Sequence, residues 1–143
     1  MIEPTTRVAA YALAQDDTGR VLLVRIAPGY PSSGRWTLPG GGLNFGEDPA
    51  DGVLRELTEE TGLVGEISRL AFVDSWTRPA EPEAGVGAWH AIRIAYLVQI
   101  TGGALRDEVD ESTDQAAWFT PVEARALPLV PLGAKALEYL AGI

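Results

Sequence analysis

The segment from Pro49 to Thr61 predicts an amphipathic helix whose two ends are both marked in the sequence. Asp48 is a favourable N-cap, Pro49 fits the first helical position, and Gly62 fits a left-handed C-terminal cap. Apolar residues recur at helical spacing along one stripe, and they are Ala50, Val53, Leu54, Leu57 and Thr61. Because a helix with one apolar stripe must bury it against another layer, the chain is expected to fold as a layered domain.

The other layer is predicted from short β-rich segments that are separated by turn residues. Residues 8–13 and 21–25 flank a turn that contains Asp and Gly, and this arrangement predicts a β-hairpin. Residues 39–42, Pro-Gly-Gly-Gly, are expected to break regular structure. Further extended segments are predicted at 36–38, 67–76, 89–100 and 116–119.

Two helices are predicted near the end of the chain. One begins at Thr120-Pro121, with Glu123 as its capping-box partner, and the other covers about 133–140. The order of strands, helix, strands and helices predicts an α+β fold, an α/β/α sandwich in which a mixed β-sheet is flanked by helices.

Composition narrows the class of protein. The 143 residues suit one domain, and residues 1–143 are expected to form a single domain. Cysteine is absent, which excludes disulfides, thiolate zinc sites and a cysteine nucleophile. The formal net charge of −9 makes a nucleic-acid or anionic-membrane partner unexpected. With no signal-peptide pattern and no apolar run near the ~20 residues that span a bilayer, we expect a cytoplasmic protein.

The predicted helix also carries a cluster of carboxylates. At about 100° per residue, Glu56 and Glu60 lie ~40° apart on a face beside the apolar stripe, and Glu59 lies further round. Arg55 is spaced i,i+4 from Glu59 and offsets part of their mutual repulsion. By itself such a cluster is as consistent with a solvated face as with a cation site, and the preceding glycines are equally consistent with a plain loop.

Taken together, the glycines and the carboxylates form a known pattern. Residues 41–63 read GGLNFGEDPADGVLRELTEETGL and fill every specified position of G-x5-E-x7-R-E-U-x-E-E-x-G-U, in which U is a bulky aliphatic residue. This segment resembles the Nudix box, and the chain is identified as resembling the MutT-like Nudix hydrolases. The resemblance implies a metal-dependent hydrolase that cleaves the phosphoanhydride bond of a nucleoside diphosphate linked to another moiety.

The resemblance also implies roles for individual residues. Glu56, Glu59 and Glu60 would hold Mg²⁺, with Mn²⁺ as an alternative, and a carbonyl of Gly40 or Gly41 would complete the shell. Arg55 would hold the glutamates in position. Glu47 would make a supporting contact at the loop–helix junction and is also counted among the candidate substrate contacts.

The general base is left open between two sources. Family members use either a box glutamate, here Glu56 or Glu59, or a carboxylate of a later loop. The acidic stretch 107–114 supplies the second kind, and Glu111, seven residues before Trp118, is the candidate chosen from it.

The sequence offers three further candidates for substrate binding. Trp36 directly precedes the glycine loop and could stack on a nucleobase, while Arg25 and Arg78 could reach phosphate or a ribose-linked group. His90, the only histidine, is taken as structural because one imidazole without a partner forms no metal or triad signature.

The substrate itself is predicted only by class. A nucleoside triphosphate is favoured over ADP-ribose or a nucleotide sugar, although Pro79, sixteen residues after Leu63, is a weak marker of the ADP-ribose type. A non-catalytic ligand-sensing module is the alternative from another class. A homodimer is possible because dimers are common in the family.

Overall fold

Helix α1 spans Pro49–Thr61, the bounds that its capping residues predict. The computed structural model describes residues 2–142, so Met1 and Ile143, the two ends of the predicted domain, lie outside the described residues. The Asp48 side chain accepts a hydrogen bond from the Ala50 amide at 2.8 Å, and Gly62 ends the helix with a φ of 75°. Local chemistry at the two caps therefore fixes where α1 begins and ends.

The described residues form two β-sheets. Their strands are β1 (Thr5–Leu13), β2 (Val21–Ile26), β3 (Trp36–Thr37), β4 (Gly40–Gly42), β5 (Leu63–Arg78), β6 (Trp89–Gly103) and β7 (Thr113–Phe119). The first sheet has the order β4-β1-β6-β5 and the second the order β3-β2-β7. Because β1 and β6 run parallel while the other pairs run antiparallel, the first sheet is mixed.

Helices cover the sheets from opposite sides. On one side α1 packs against a cluster that includes Ala12, Leu22 and Val98. On the other side, α2 (Pro121–Arg125) and α3 (Pro131–Ala141) pack against a cluster that includes Leu13 and Leu23. The fold is thus the predicted α/β/α sandwich of α+β class. Within residues 2–142, no helix is long and apolar enough to cross a membrane.

Two local predictions are wrong. Strands β1 and β2 do not form a hairpin, because they belong to different sheets and meet only at the Gln15–Val21 bridge. The glycine segment is not irregular either, since Gly40–Gly42 forms the edge strand β4 against β1. Only glycine allows this approach, because Gly40 has a φ of +152° and a Cβ there would overlap the Ala10 carbonyl oxygen.

The first sheet also has an open face, on the side covered further along by α3. Cross-strand pairing places Trp76, Ala91 and Arg7 in one row of this face, and Asp74, Arg93 and Ala9 in the next. We call the surface formed by these six residues the open face, because Trp76 and Arg7 are exposed there; Ala9 and Ala91 are buried beneath it, and Asp74 pairs with Arg93 and with Lys135 of α3. It borders β4, because Gly42 pairs with Ala9 and a Cβ at Gly42 would lie 2.9 Å from the Arg7 Nε.

Candidate active site

Strand β4 and helix α1 meet at two carboxylates. The Gly40 amide donates a hydrogen bond to Glu60 Oε1 at 2.7 Å. A Cβ on Gly41 would lie 3.0 Å from Glu56 Oε1, so a side chain at that position would press on the carboxylate. The glycine strand therefore lets the helix present Glu56 and Glu60 directly to a backbone edge.

Burial of these two carboxylates changes their acidity. Glu60 is only 4% exposed, and burial raises its pKa well above the ordinary value, with the Gly40 amide opposing and the charges of Glu56 and Glu108 adding to the rise. Burial likewise raises the pKa of Glu56, although the neighbouring Arg55 opposes this. Two partly desolvated carboxylates beside each other create a local demand for positive charge.

Arg55 holds three carboxylates at once. Its Nε and Nη2 donate to the two oxygens of Glu47 at 2.8 and 2.9 Å, and its Nη1 lies 3.2 Å from both Glu56 Oε1 and Glu59 Oε2. These contacts, led by the hydrogen bonds to Glu47, raise the pKa of Arg55. The guanidinium fork thus fixes the spacing between the loop before α1 and the glutamates on α1.

Glu47 is fully engaged within the protein. Besides its two bonds to Arg55, it accepts a hydrogen bond from the Asn44 amide at 3.0 Å. The arginine and this amide lower the pKa of Glu47 to about 2. The structure therefore places Glu47 as a tether at the loop–helix junction and not as the free substrate contact for which it was also a candidate.

The loop after β6 brings a different carboxylate to the site from the one predicted. Glu108 is half-buried, and its charge raises the pKa values of both Glu56 and Glu60. Glu111 is exposed and lines a surface depression with Tyr30 and Asp114. Thr113 Oγ1 donates to Glu108 Oε1 at 3.0 Å, so a buried strand residue sets the orientation of Glu108. Glu111, the candidate chosen from this loop, thus lies at the surface, whereas Glu108 lies nearer the glutamates of α1.

The carboxylates fit a hard divalent cation. The buried Glu60 carboxylate accepts a hydrogen bond from the Gly40 amide, and among the described residues no basic side chain contacts it. The atoms that Glu56, Glu59 and Glu60 offer to a cation are carboxylate oxygens, the ligand type that Mg²⁺ prefers. Within residues 2–142, no three acidic or histidine side chains already converge tightly enough to enclose an ion. Glu59 accounts for part of this, since its side chain is 51% exposed and leans on Arg55.

Two substrate-binding candidates near β3 are committed to other contacts. Trp36 is 7% exposed and packs edge-on against Phe119 at a centroid distance of 5.0 Å, so it belongs to the core and offers no free face to a nucleobase. This corrects its prediction as the edge of the pocket, and the reason is that α3 covers β3. Arg25 lies over Trp36 and pairs with both carboxylate oxygens of Asp114, at 2.9 and 3.2 Å.

An exposed tryptophan lies instead on the open face. Trp76 is 44% exposed on β5, at the edge of the sheet opposite the glycine strand, and it shares a cross-strand row with Arg7 of β1, the strand next to β4. Arg78, the remaining predicted contact, lies one row beyond, opposite Trp89. The sequence did contain a signal for Trp76, since it ends a β-rich run, but its side of the sheet follows only from the pairing register.

Comparison with known proteins agrees with this geometry. The model of the NUDIX domain matches residues 5–140. The chain belongs to the Nudix family. Residues of this Nudix chain are 36% identical over 111 positions to the 8-oxo-dGDP phosphatase NUDT18 of Mus musculus, covering 71% of this chain and 31% of that protein. They are 31% identical over 99 positions to an ADP-ribose pyrophosphatase of Methanocaldococcus jannaschii, covering 69% and 54%.

A solved Nudix structure has the same fold. The MutT NUDIX hydrolase from Burkholderia pseudomallei superposes with a TM-score of 0.73 at 27% identity, covering 94% of this chain and 98% of that one. The Nudix chain described here spans about a third of the length of the mouse relative and about half that of the archaeal one.

Proposed function

We propose that this Nudix domain is a metal-dependent pyrophosphohydrolase that cleaves the phosphoanhydride bond of a nucleoside diphosphate linked to another group, with a nucleoside triphosphate as the favoured type. The observation that carries the proposal is Glu60, a buried carboxylate that faces Glu56 and a backbone amide without a basic partner. Such a group is costly unless a cation or a proton neutralises it. A diphosphate is the kind of anionic substrate that a cation at this position would serve.

In this proposal Glu56, Glu59 and Glu60 hold Mg²⁺, or Mn²⁺ in its place, and the carbonyls of Gly40 and Gly41 are further candidate donors. When bound, the cation neutralises the diphosphate oxygens and orients them for in-line displacement. Arg55 keeps Glu47, Glu56 and Glu59 at fixed spacing, so that they need little rearrangement when substrate arrives. Arg55 therefore acts as a positioning residue.

Glu108 is our candidate for the general base. It lies on the loop that faces α1, its carboxylate is held by Thr113, and burial raises its pKa toward the range in which a carboxylate accepts protons effectively. The attacking water gives its proton to Glu108 as its oxygen bonds to phosphorus and the bridging P–O bond breaks. A box glutamate, Glu56, is the alternative base.

The open face is our candidate for the nucleoside subsite. Trp76 presents an exposed indole to this surface, and stacking of a base on an aromatic side chain is worth roughly 1–3 kcal/mol. Arg7, in the same row, contacts Tyr11 and has no carboxylate within salt-bridge distance among the described residues, so its guanidinium is a candidate contact for the base or the phosphates of the substrate. This assignment replaces Trp36, which is in the core.

An ADP-ribose substrate is the second candidate. Pro79 stands sixteen residues after Leu63, the weak marker of that type, and the archaeal relative carries the name of an ADP-ribose pyrophosphatase. A non-catalytic module is disfavoured by the sequence, since every glutamate of the Nudix box is present.

The test is hydrolysis of a panel that contains nucleoside triphosphates, nucleoside diphosphates, ADP-ribose and nucleotide sugars, with and without Mg²⁺. We expect metal-dependent turnover with triphosphates ahead of ADP-ribose. Glu56→Gln and Glu60→Gln, which keep side-chain shape, should lower kcat by orders of magnitude in folded protein. Full turnover in excess EDTA, or near-wild-type turnover by both variants, would contradict the proposed function.

A further inference from the structure

A surface cavity lies at the end of the first sheet, away from the Nudix box. Its volume is about 460 Å³, and it is formed where β1 and β6 begin and β5 ends. Thr5, Thr77, Arg78, Trp89 and His90 are among its lining residues, and none of the residues that line it is acidic. In a chain with a net charge of −9, a cavity with an arginine, a histidine and no carboxylate is a local exception.

Arg78 is incompletely satisfied inside this cavity. Its Nε is buried without a hydrogen-bond partner, the one such side-chain atom among the described residues, and its Nη2 donates only a long bond of 3.4 Å to the Gly87 carbonyl. Buried polar groups without partners are rare in folded proteins. The guanidinium is nevertheless held in place, because its central carbon lies 5.9 Å from the centroid of the Trp89 ring.

The donors around Arg78 suit an oxyanion. Thr5, Trp89 and Arg78 form one cross-strand row, so the Thr5 hydroxyl lies on the same face of the sheet as the guanidinium, which presents a planar fork of N–H donors. A phosphate or carboxylate accepts several such bonds at once, whereas a neutral apolar ligand would leave the guanidinium unsatisfied.

The position of the cavity relates it to the proposed substrate site. Thr5 lies four residues before Ala9, the partner of Gly42, and therefore about 13 Å along β1 from the glycine strand. The open face lies between them. A group at the far end of an extended nucleotide substrate could span this distance from the cleaved diphosphate.

We propose that this cavity binds an anionic group, a phosphate or a carboxylate, through Arg78 and the Thr5 hydroxyl. In the version that deepens the proposed function, and rests on its second candidate substrate, the anion is a phosphate carried by the group linked to the nucleoside diphosphate. In the other version it is a free phosphate ion. Both share the same chemistry of recognition.

The first experiment needs no hydrolysis. Metal-free protein is titrated with inorganic phosphate while the NMR signals of the Trp89 indole and of the Thr5 and Thr77 amides are followed. We expect saturable shifts in the wild type and in Arg125→Gln, a variant of equal charge change on α2, and loss of these shifts in Arg78→Gln. Thr5→Val, which removes the hydroxyl in the row of Arg78, should weaken binding severalfold if Arg78→Gln proves too unstable to study.

The second experiment distinguishes the sources of the anion. ADP-ribose is compared with a derivative whose distal ribose carries a phosphate, in the wild type and in Arg78→Gln. A rise in KM of tenfold or more for the phosphorylated substrate alone, at unchanged kcat, assigns the cavity to the substrate. Equal KM values together with phosphate-induced shifts assign it to a free anion. Signals that phosphate leaves unmoved, or moves equally in Arg78→Gln, overturn the proposal even if nucleotide hydrolysis is confirmed.

Discussion

Arg55 and Glu47, eight residues apart in sequence, are joined by two hydrogen bonds of 2.8 and 2.9 Å, which tie the loop between β4 and α1 to the middle of α1. The same guanidinium reaches Glu56 and Glu59. One side chain therefore couples the stability of the loop to the arrangement of the carboxylates, and the two properties should respond to acid together.

The Arg55–Glu47 pair predicts a pH-dependent stability. The hydrogen bonds from Arg55 and from the Asn44 amide lower the pKa of Glu47 from 4.5 to about 2. Because the folded-state pKa is the lower one, the contribution of Glu47 is present above about pH 4.5 and is lost as the pH falls toward 2. Urea unfolding of the wild type and Glu47→Gln should show a stability difference at pH 6 that shrinks by pH 3. Glu66→Gln, an exposed change of equal charge, should show no such trend.

Removal of the buried Glu60 charge should reduce the stabilisation of the folded protein by Mg²⁺. Mg²⁺ at a hundred times its Kd should stabilise the wild type by about 2.7 kcal/mol, measured as a rise in Tm. Glu60→Gln should lose most of this rise. Without metal, the variant should be at least as stable as the wild type, because it no longer buries a carboxylate that lacks a basic partner. An undiminished Mg²⁺ response in Glu60→Gln would remove Glu60 from the ligand set.

A methyl group on Gly41 should impair chemistry more than folding. The Cβ of Gly41→Ala would lie 3.0 Å from Glu56 Oε1, the end of a flexible side chain, so the carboxylate must shift while the backbone need not. Misplacement of this kind can lower kcat by about 10²-fold. Gly102→Ala, which meets no atom within 4 Å, is the matched control. Equal activity of the two variants would show that the position of Glu56 is not critical.

Glu108 and Glu111 can be separated by a pair of amide substitutions. A general base typically contributes 10²–10⁴-fold to the rate, so Glu108→Gln should lower kcat by about that factor. Glu111→Gln, on the exposed part of the same loop, should leave kcat nearly unchanged. If both variants keep wild-type kcat, the base is a box glutamate.

Trp76 and Trp36 should contribute to different properties, Trp76 to substrate binding and Trp36 to folding stability. Trp76→Ala should raise KM about tenfold, the equivalent of a lost stacking contact, with kcat and Tm little changed. Trp36→Ala should instead cost ~3–5 kcal/mol of folding free energy, because it empties a core position beside Phe119. Thermal melts recorded beside the kinetics distinguish these effects. A folded Trp76→Ala with unchanged KM for every substrate would exclude the stacking role.

Features with a local cause were predictable from the sequence. The bounds of α1 follow from Asp48 and Gly62, and the capping box of α2 follows from Thr120 and Glu123, because each cap depends on residues a few positions away. The glycine strand was missed because its partner, β1, lies thirty residues earlier in the chain. Pairing with β1 satisfies backbone hydrogen bonds of Gly40–Gly42, and the composition of the segment alone does not show this pairing.

The positions of the candidate base and of the candidate stacking residue depend on the tertiary arrangement. Glu108 and Glu111 belong to the same acidic loop, and the Thr113 hydrogen bond and the approach of Glu108 to α1 distinguish them. Trp36 could be either a pocket edge or a core residue until α3 is placed over β3. Burial is set by the tertiary arrangement, so a single sequence leaves such choices open.

The three glycines of β4 divide labour between its two sides. Gly41 faces Glu56, whereas Gly42 faces Arg7 on the open face. Hydrolysis and recognition would thus be served by opposite sides of one strand and by different elements, α1 for the first and β1 with β5 for the second. Substitution of residues such as Trp76 could therefore change the substrate while the glutamates of α1 stay the same. This separation makes the domain a suitable starting point for the design of nucleotide hydrolases with other substrates.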